Sequence, residues 1–460
     1  MRTHRRPRKY MKALLRTTLL LCVMSALLFS PAAFAQDSGA SSPNAEAAPA
    51  DTRGIDIDVT LGVKRKLIPM AIPKALEPGG DTGKIAQTVH DTLARDMKLA
   101  GFFKVLDEGN FFFDTSQEGM GASAIGFSNW FNVGAQGLIK SSVRTNGDQV
   151  VLDLRLYLVE EGKPARLDWK GGSFSKDEYI KQVHAFANEV LKYYTGKPGI
   201  FGSRIAYVRQ QKRNKQIYAM RLGEEGVAKI TNNNSINMLP SFGPGGAIYY
   251  TSYQAGNPDL WVYEGGKSRK LSSVRGQNTG ADYCNGKLAL TLSKDGSNSD
   301  IYLIDPSSGK IAQRLTDHWA IDTSPSWSPD CSKIAFTSGR SGGPQIYVMN
   351  ADGSNQRRLT YQGSYNTQPS WSPSGNLIAF SARDERGAFD IFTVNLEGSI
   401  ERLTQDQGNN SDPAFSPDGR YLVFISDRGG KGKRVWMMTA DGEVQNAITE
   451  GSGYQSPAWE

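Results

Sequence analysis

The sequence predicts an N-terminal α/β domain followed by a six-bladed, all-β propeller closed by its C-terminal strand. Three observations predict it. A strand-rich unit recurs six times from residue 204 onward, the stretch before it mixes helical and strand periodicities, and one strand type of the repeat is missing at the front of the array and left over at its end.

The first 35 residues hold seven basic side chains and no acid, with the apolar run Leu19–Phe29 behind them. That run is shorter than the roughly 20 apolar residues a spanning helix needs, and Ala33-Phe34-Ala35 supplies the small residues of a cleavage site, so a signal peptide cut after Ala35 is expected. Cys22 follows Leu21, where a lipoprotein site requires a small residue, which argues against lipidation. Residues 36–53, rich in Ala, Ser, Pro and Asp, read as a flexible arm.

Residues 54–199 carry the α/β pattern. Alternating Ile55, Ile57 and Val59 predict a strand, and Leu67–Pro73 another. Asp81 reads as the N-cap of a helix whose apolar face is Ile85, Val89, Leu93 and Met97. A short strand over Phe102–Leu106 and a helix near Trp130 follow, then three strands around Leu138, Leu154 and Leu167. A closing helix over Ser175–Tyr194 opens with a capping signature, and Gly196 and Pro198 mark the boundary.

From residue 200 to 460 each unit has four strand types. The second (B) reads RIAYVR at 204, AIYYTS at 247, KLALTL at 287, KIAFTS at 333, LIAFSA at 377 and YLVFIS at 421. The third (C) centres on Tyr218, Trp261, Tyr302, Tyr347, Phe392 and Trp436, and the fourth (D) ends at Thr231, Ser272, Thr316, Thr360, Thr404 and Thr449. Tight turns at Ser328, Ser416, Asp352 and Asp441 separate β-branched and aromatic runs, the chemistry of short antiparallel strands stacked as propeller blades. The first type (A) appears as LPSF at 239, GADY at 280, SPSW at 324, QPSW at 368, DPAF at 412 and SPAW at 456, with no copy before residue 204. The final strand is therefore expected to complete blade 1, removing two exposed sheet edges. Antiparallel order then puts the A–B and C–D turns on one face and the longer B–C and D–A loops on the other, the candidate binding face.

The formal net charge of +7 is matched by the seven cations of the signal segment, so the exported chain is near neutral and offers no footprint for nucleic acid. Cys284 and Cys331 fall near the A–B turns of neighbouring blades and form a disulfide candidate in an oxidising compartment, with two free thiols as the alternative. Gly339–Gly343 matches a nucleophile-elbow pattern, but it lies in a B–C loop with no histidine after His318. Gly119–Ala124 fits a loose dinucleotide pattern without the strand before it. His90, His184 and His318 are too scattered for a metal site, and the two in helices read as ordinary surface or half-buried residues. A secreted glycan hydrolase or lyase, using Asp295, Asp300, Asp322, Asp384 or Asp412 at the channel mouth, is the rival reading.

The signal peptide, the small α/β domain, the junction SRIAYV at 203–208 and six blades bearing SPDG, IAFTS, IYVMNADG and RLT together resemble the TolB family over nearly the whole exported chain. The resemblance implies a non-enzymatic, monomeric periplasmic adaptor of the Tol–Pal envelope system, supporting outer-membrane integrity and constriction at cell division. It further implies that the propeller mouth binds the peptidoglycan-associated lipoprotein Pal, which would hold the adaptor at the outer membrane, and that the N-terminal segment Ile55, Asp56, Ile57, Asp58 and Val59 binds TolA, here behind the additional arm of residues 36–53. By position, the ring at the mouth is Asn237, Asn278, Thr279, Asp322, Thr323, Asn366, Thr367, Asn410, Ser411 and Gln455, small polar side chains suited to hydrogen bonding an inserted loop. Arg340, Arg383 and Arg428 on the B–C loops are expected as a charged rim, with solvated loop tips as the bland alternative. No cofactor is expected, beyond weak Ca²⁺ binding by the Asn, Asp and Thr oxygens of the channel.

Overall fold

The computed structural model describes residues 66–224, 226–294 and 298–460; the expected signal peptide, the arm, the strand over Ile55–Val59 and Asp295 lie outside these residues. The α/β domain runs β1 (Ile68–Ala71), α1 (Lys84–Ala100), β2 (Phe103–Val105), α2 (Phe127–Asn132), β3 (Gly137–Asn146), β4 (Gln149–Leu158), β5 (Lys163–Pro164), β6 (Gly172–Ser175) and α3 (Tyr179–Thr195). Its sheet has the order β2-β1-β3-β4-β5, with β6 also pairing β4. Strand β1 is parallel to β2 and β3, whereas β3 and β4 form a long antiparallel pair.

Alternation along these strands gives the sheet two apolar faces. On one, Val89, Leu93 and Met97 of α1 and Val183, Phe186 and Val190 of α3 pack on Met70, Val143 and Leu152. On the other, Trp130 of α2 is buried against Leu138 and Tyr157. Each such side chain contributes about 1.5–3 kcal/mol by leaving water.

Three local expectations need correction. Asp81 is not the cap of α1: its carboxylate accepts the Gly83 N–H at 2.6 Å in a turn, and the helix starts behind Gly83, whose φ of +67° suits glycine. Ser175 ends β6, its hydroxyl donates to Glu178 at 3.1 Å, and α3 begins at Tyr179. Leu167 lies in no strand, because β4 is instead paired by the short β5 and β6 on either side of it.

The propeller consists of six four-stranded antiparallel sheets. Blade 1 combines Arg204–Gln211, Asn214–Arg221 and Val227–Lys229 with the C-terminal Tyr454–Trp459 as its innermost strand. Arg204 and Glu460 exchange backbone hydrogen bonds of 3.2 and 2.9 Å and an ion pair of 3.0 Å, and the Trp459 indole N–H donates to Ser203 Oγ at 2.8 Å. The inner strands of blades 2 to 6 are Asn237–Phe242, Asn278–Cys284, Asp322–Trp327, Asn366–Trp371 and Asn410–Phe415.

The α/β domain joins the A–B and C–D turns of blades 6 and 1, leaving the B–C and D–A loops uncovered by it. Tyr421 donates its hydroxyl to the Ala100 carbonyl at 2.8 Å, Arg420 reaches Thr195 Oγ1 at 2.7 Å, and Arg95 donates to the Gly223 carbonyl at 2.5 Å. Beneath these bonds the core of the domain continues into Ile205, Tyr207, Val423 and Met437. On the same turn face, Cys284 and Cys331 form a disulfide between blades 3 and 4, with Cα atoms 5.8 Å apart.

Candidate functional site at the channel mouth

Every inner strand is broken by a bulge against its B strand, as at Met238/Ser241, Thr323/Ser326 and Gln455/Ala458. At each bulge one residue adopts the left-handed conformation: Leu239, Gly280, Ser324, Gln368, Asp412 and Ser456, with φ between +45° and +64°. For a non-glycine residue this costs about 1–2 kcal/mol, and such strain persists only where the surroundings over-determine it. Here they do. The bulge N–H of Ser324, Gln368 and Asp412 is accepted by a hydroxyl on strand B of the preceding blade, Thr291, Thr337 and Ser381, at 3.2, 3.2 and 3.0 Å. Strand B of blade 6 has Ile425 at that position, and the Ser456 N–H turns to the Asp412 carboxylate at 3.0 Å.

The bulges surround a cavity of about 220 Å³, lined by the left-handed residues, by the prolines that follow five of them and by Thr279 and Thr323. Two carboxylates face it, Asp282 and Asp412. Asp282 accepts the Trp327 N–H of the next blade at 2.7 Å, the task that Ser326 and Ser370 perform for Trp371 and Phe415. Burial pushes its carboxyl up to about 6 against the pull of the Trp327 and Tyr283 N–H donors. Burial also raises Asp412, partly offset by the Ser456 N–H, the Gln368 amide and the nearby Lys433 and Lys215.

The structure corrects much of the predicted ring. Asn237, Asn278, Asp322, Asn366 and Asn410 are fully or almost fully buried and lie inside the blade interfaces rather than in the cavity wall. They close a polar lock: in blade 4 the Ile346 N–H donates to Thr360 at 3.0 Å, Thr360 donates to Gln345 at 2.8 Å, and Gln345 accepts from Asn366 of blade 5 at 2.8 Å. In the next interface Thr404 and Asn410 share Asp390 at 2.6 and 2.8 Å. This explains both the recurrent terminal Thr of strand D and the Asn at the start of strand A, since a buried amide requires partners. Thr279 and Thr323 do line the cavity, while Thr367, Ser411 and Gln455 are half-buried and outside its wall.

Nor do the three arginines form a common rim. Arg340 folds into blade 4, paired to Asp322 at 2.7 Å and lying 5.1 Å from the Tyr347 ring centre. Arg428 does the same in blade 6, donating to Asn410 at 2.8 Å over Trp436, and burial draws its guanidinium down to about 10, so it stays charged at neutral pH. Arg383 alone is exposed, stacked on Tyr365 and Phe389. Of the carboxylates considered for glycan chemistry, Asp300, Asp322 and Asp384 are engaged by Arg314, Arg340 and Arg386 at 2.6–2.7 Å, and Asp412 faces the cavity. Among the described residues no group of three or more His, Cys, Asp or Glu is placed to hold a metal ion. His184, expected at or near the surface, is buried and bonded to Asp96 at 2.6 Å where α1 and α3 meet the Gly223 turn of blade 1.

Of the six bulge residues the sequence singles out only Asp412, and that as a carboxylate, because their shared requirement is on backbone conformation. Their side chains share no hydropathy, and Gly280 in the irregular GADY copy is the one overt sign.

Comparison with known proteins agrees with this architecture. Residues 191–460 match the family model of the TolB beta propeller domain, and residues 55–165 that of the TolB amino-terminal domain. A Tol-Pal system protein TolB of Anaeromyxobacter dehalogenans is 39% identical over 266 residues, 56% of this chain and 59% of that protein. A TolB homolog of Chlorobium luteolum is 32% identical over 287 residues, covering 62% and 64%. The chain thus spans less than two thirds of the length of these curated relatives. The crystal structure of TolB from Acinetobacter baumannii shares the fold, with a TM-score of 0.72 at 22% identity over 86% of this chain and 96% of that one. With the propeller model alone matching more than half of its residues, the chain belongs to the TolB family.

Proposed function

We propose that this protein is a non-enzymatic periplasmic adaptor of the Tol–Pal system, exported by a cleaved signal peptide and without a resident cofactor. Its propeller mouth receives a Pal-type lipoprotein, and its N-terminal segment around Ile55–Val59 engages TolA by adding an extended strand to a sheet edge. In this way it supports outer-membrane integrity and constriction during division. The observation that supports the mouth as the docking site is the ring of six left-handed residues around the cavity, a place where conformational cost is concentrated on a surface that the α/β domain leaves free.

Calorimetry of the exported chain with the soluble domain of the Pal-type lipoprotein tests the reading. Thr323→Trp, which fills the cavity from a position outside the blade locks, is expected to weaken binding at least about tenfold with little change in thermal stability. Unaltered affinity removes the cavity from the site, and the absence of any binding by the unsubstituted chain removes the partner.

A further inference from the structure

The loops of the mouth face divide into two unlike arcs. On blades 6 and 1 stand Arg209, Lys212, Arg213, Lys431 and Lys433, all exposed, and the half-buried Lys215. None of them makes an ion pair among the described residues. Of the acids on this face, Asp427 is occupied by the Asn409 N–H at 2.7 Å, Asp412 in the cavity wall lies near Lys215 and Lys433, and Glu450 makes no ion pair among the described residues. Lys215 is held by its backbone, whose carbonyl accepts from Asn237 at 2.9 Å, and the charges it senses are Lys433 and Asp412 in the cavity wall. Blade 5 behaves differently. Its loop arginine Arg386 is neutralised by Asp384 and Asp406 at 2.7 and 2.6 Å and Arg402 by Asp390 at 2.5 Å, while the exposed Arg383 lies over the Tyr365 and Phe389 rings.

Across the ring, the D–A loops leaving blades 3 and 4 carry the opposite character. Trp319, Tyr361 and Ile321 are 78%, 71% and 55% exposed, and Tyr365 is also open to solvent. Arg358 lies 4.9 Å from the centre of the Tyr361 ring, and Tyr365 packs edge-on against Phe389 at 5.6 Å, so these rings are held in place rather than trailing into solvent. Large apolar side chains clustered on adjacent loops of an otherwise polar face mark an interaction surface. A polyanion alone has no use for the aromatic arc, and an apolar partner alone would cover six cations without giving them a carboxylate. Only an occupant with both chemistries suits both sides.

We infer that the mouth receives an acidic polypeptide loop with an apolar tip in one orientation, its carboxylates over blades 6 and 1 and its apolar side chains against Trp319 and Tyr361. The inference rests on the adaptor reading above and adds to it the chemistry and direction of the docked partner. The cationic arc accelerates and orients the encounter, whereas the aromatic arc sets the lifetime of the complex.

The experiment uses the exported chain and the soluble domain of the Pal-type lipoprotein, with affinity and association rate measured at 50 and 500 mM salt. The double variant Lys215→Glu/Lys433→Glu is expected to bind about tenfold more weakly at low salt, mainly through a slower association rate, with the difference shrinking at high salt. Trp319→Ala is expected to weaken binding about tenfold or more at both salt concentrations, mainly through faster dissociation. Lys310→Glu, on a C–D turn of the opposite face, is expected to change neither, and thermal unfolding verifies that each variant folds. Normal binding by the wild type that neither mouth variant alters overturns this inference while leaving the adaptor reading intact. No binding by the wild type overturns both. Capture of peptidoglycan fragments that depends on Trp319 but is indifferent to the lysine pair also overturns it, by making the occupant a glycan.

Discussion

Deleting residues 456–460 is the most direct test of ring closure. The deletion removes the pairings of Ala458 with Ala206 and Trp459 with Ile205, the two backbone bonds between Arg204 and Glu460, and the Ser456 N–H that Asp412 accepts. Trp459 is 9% exposed and its indole is hydrogen-bonded to Ser203, so losing it resembles a buried aromatic truncation of about 3–5 kcal/mol. Backbone bonds lost at about 1 kcal/mol each bring the total to about 7–9 kcal/mol, against a usual whole-protein stability of about 5–15 kcal/mol. With an unfolding entropy of about 2.1 cal/mol/K per residue over about 400 residues, that corresponds to a Tm lower by about 10 °C in calorimetry. Trp459→Ala alone is expected to lower it by about 4–6 °C. The newly bared edge of Arg204–Gln211 should also promote association, visible by light scattering. A Tm within about 2 °C of the intact chain would falsify the closure argument.

Asp282 gives a pH signature. Its folded pKa of about 6 lies above the unfolded value of about 3.9, so the proton it binds stabilises the fold fully below pH 4, and that contribution is lost as pH rises through 6. Asp282→Ser, matching Ser326 and Ser370, should therefore raise stability by about 2–3 kcal/mol at pH 7.5 and change it little at pH 4; equal effects at both would refute the assignment. Asp96→Ala leaves His184 buried without its partner and should cost about 3–5 kcal/mol in chemical denaturation, with an unchanged midpoint counting against the pair as a structural element. The 47-residue separation bridged by Cys284–Cys331 predicts a loss of about 4 kcal/mol in Cys284→Ser/Cys331→Ser, checked by unfolding with and without reductant. Gly280→Ala meets nothing closer than Leu239 at 4.0 Å, so its expected cost of about 1 kcal/mol is conformational, and a neutral result would show that the bulge relaxes.

The propeller was legible because its blades repeat: six IAF-type strands and a displaced SPAW copy specify blade number and closure without reference to any neighbour. The cavity was less legible, since alternation in strand A points Asn366 and Asn410 somewhere polar but does not distinguish a solvent channel from a buried lock. Thr360, Gln345 and Asn366 are separated in sequence and become one hydrogen-bonded unit only when blades 4 and 5 meet. His184 was misplaced for the same reason, because its partner Asp96 is 88 residues away. The start of α1 differs by a few residues because the turn at Gly83 places Thr82, not Asp81, to accept a first-turn N–H, that of Ala86 at 3.2 Å.

The polar locks between blades bear on how an array of near-identical repeats closes. The same device recurs around the ring: Gln216 meets Asn237 as Gln345 meets Asn366, and Asp390 meets Asn410. Each lock is complete only when two blades stand side by side, so a blade seated without its neighbour leaves a buried carboxylate or amide unmatched, a penalty of several kcal/mol at each gap. The buried asparagines thereby make half-assembled rings unstable while adding little to the stability of the complete one.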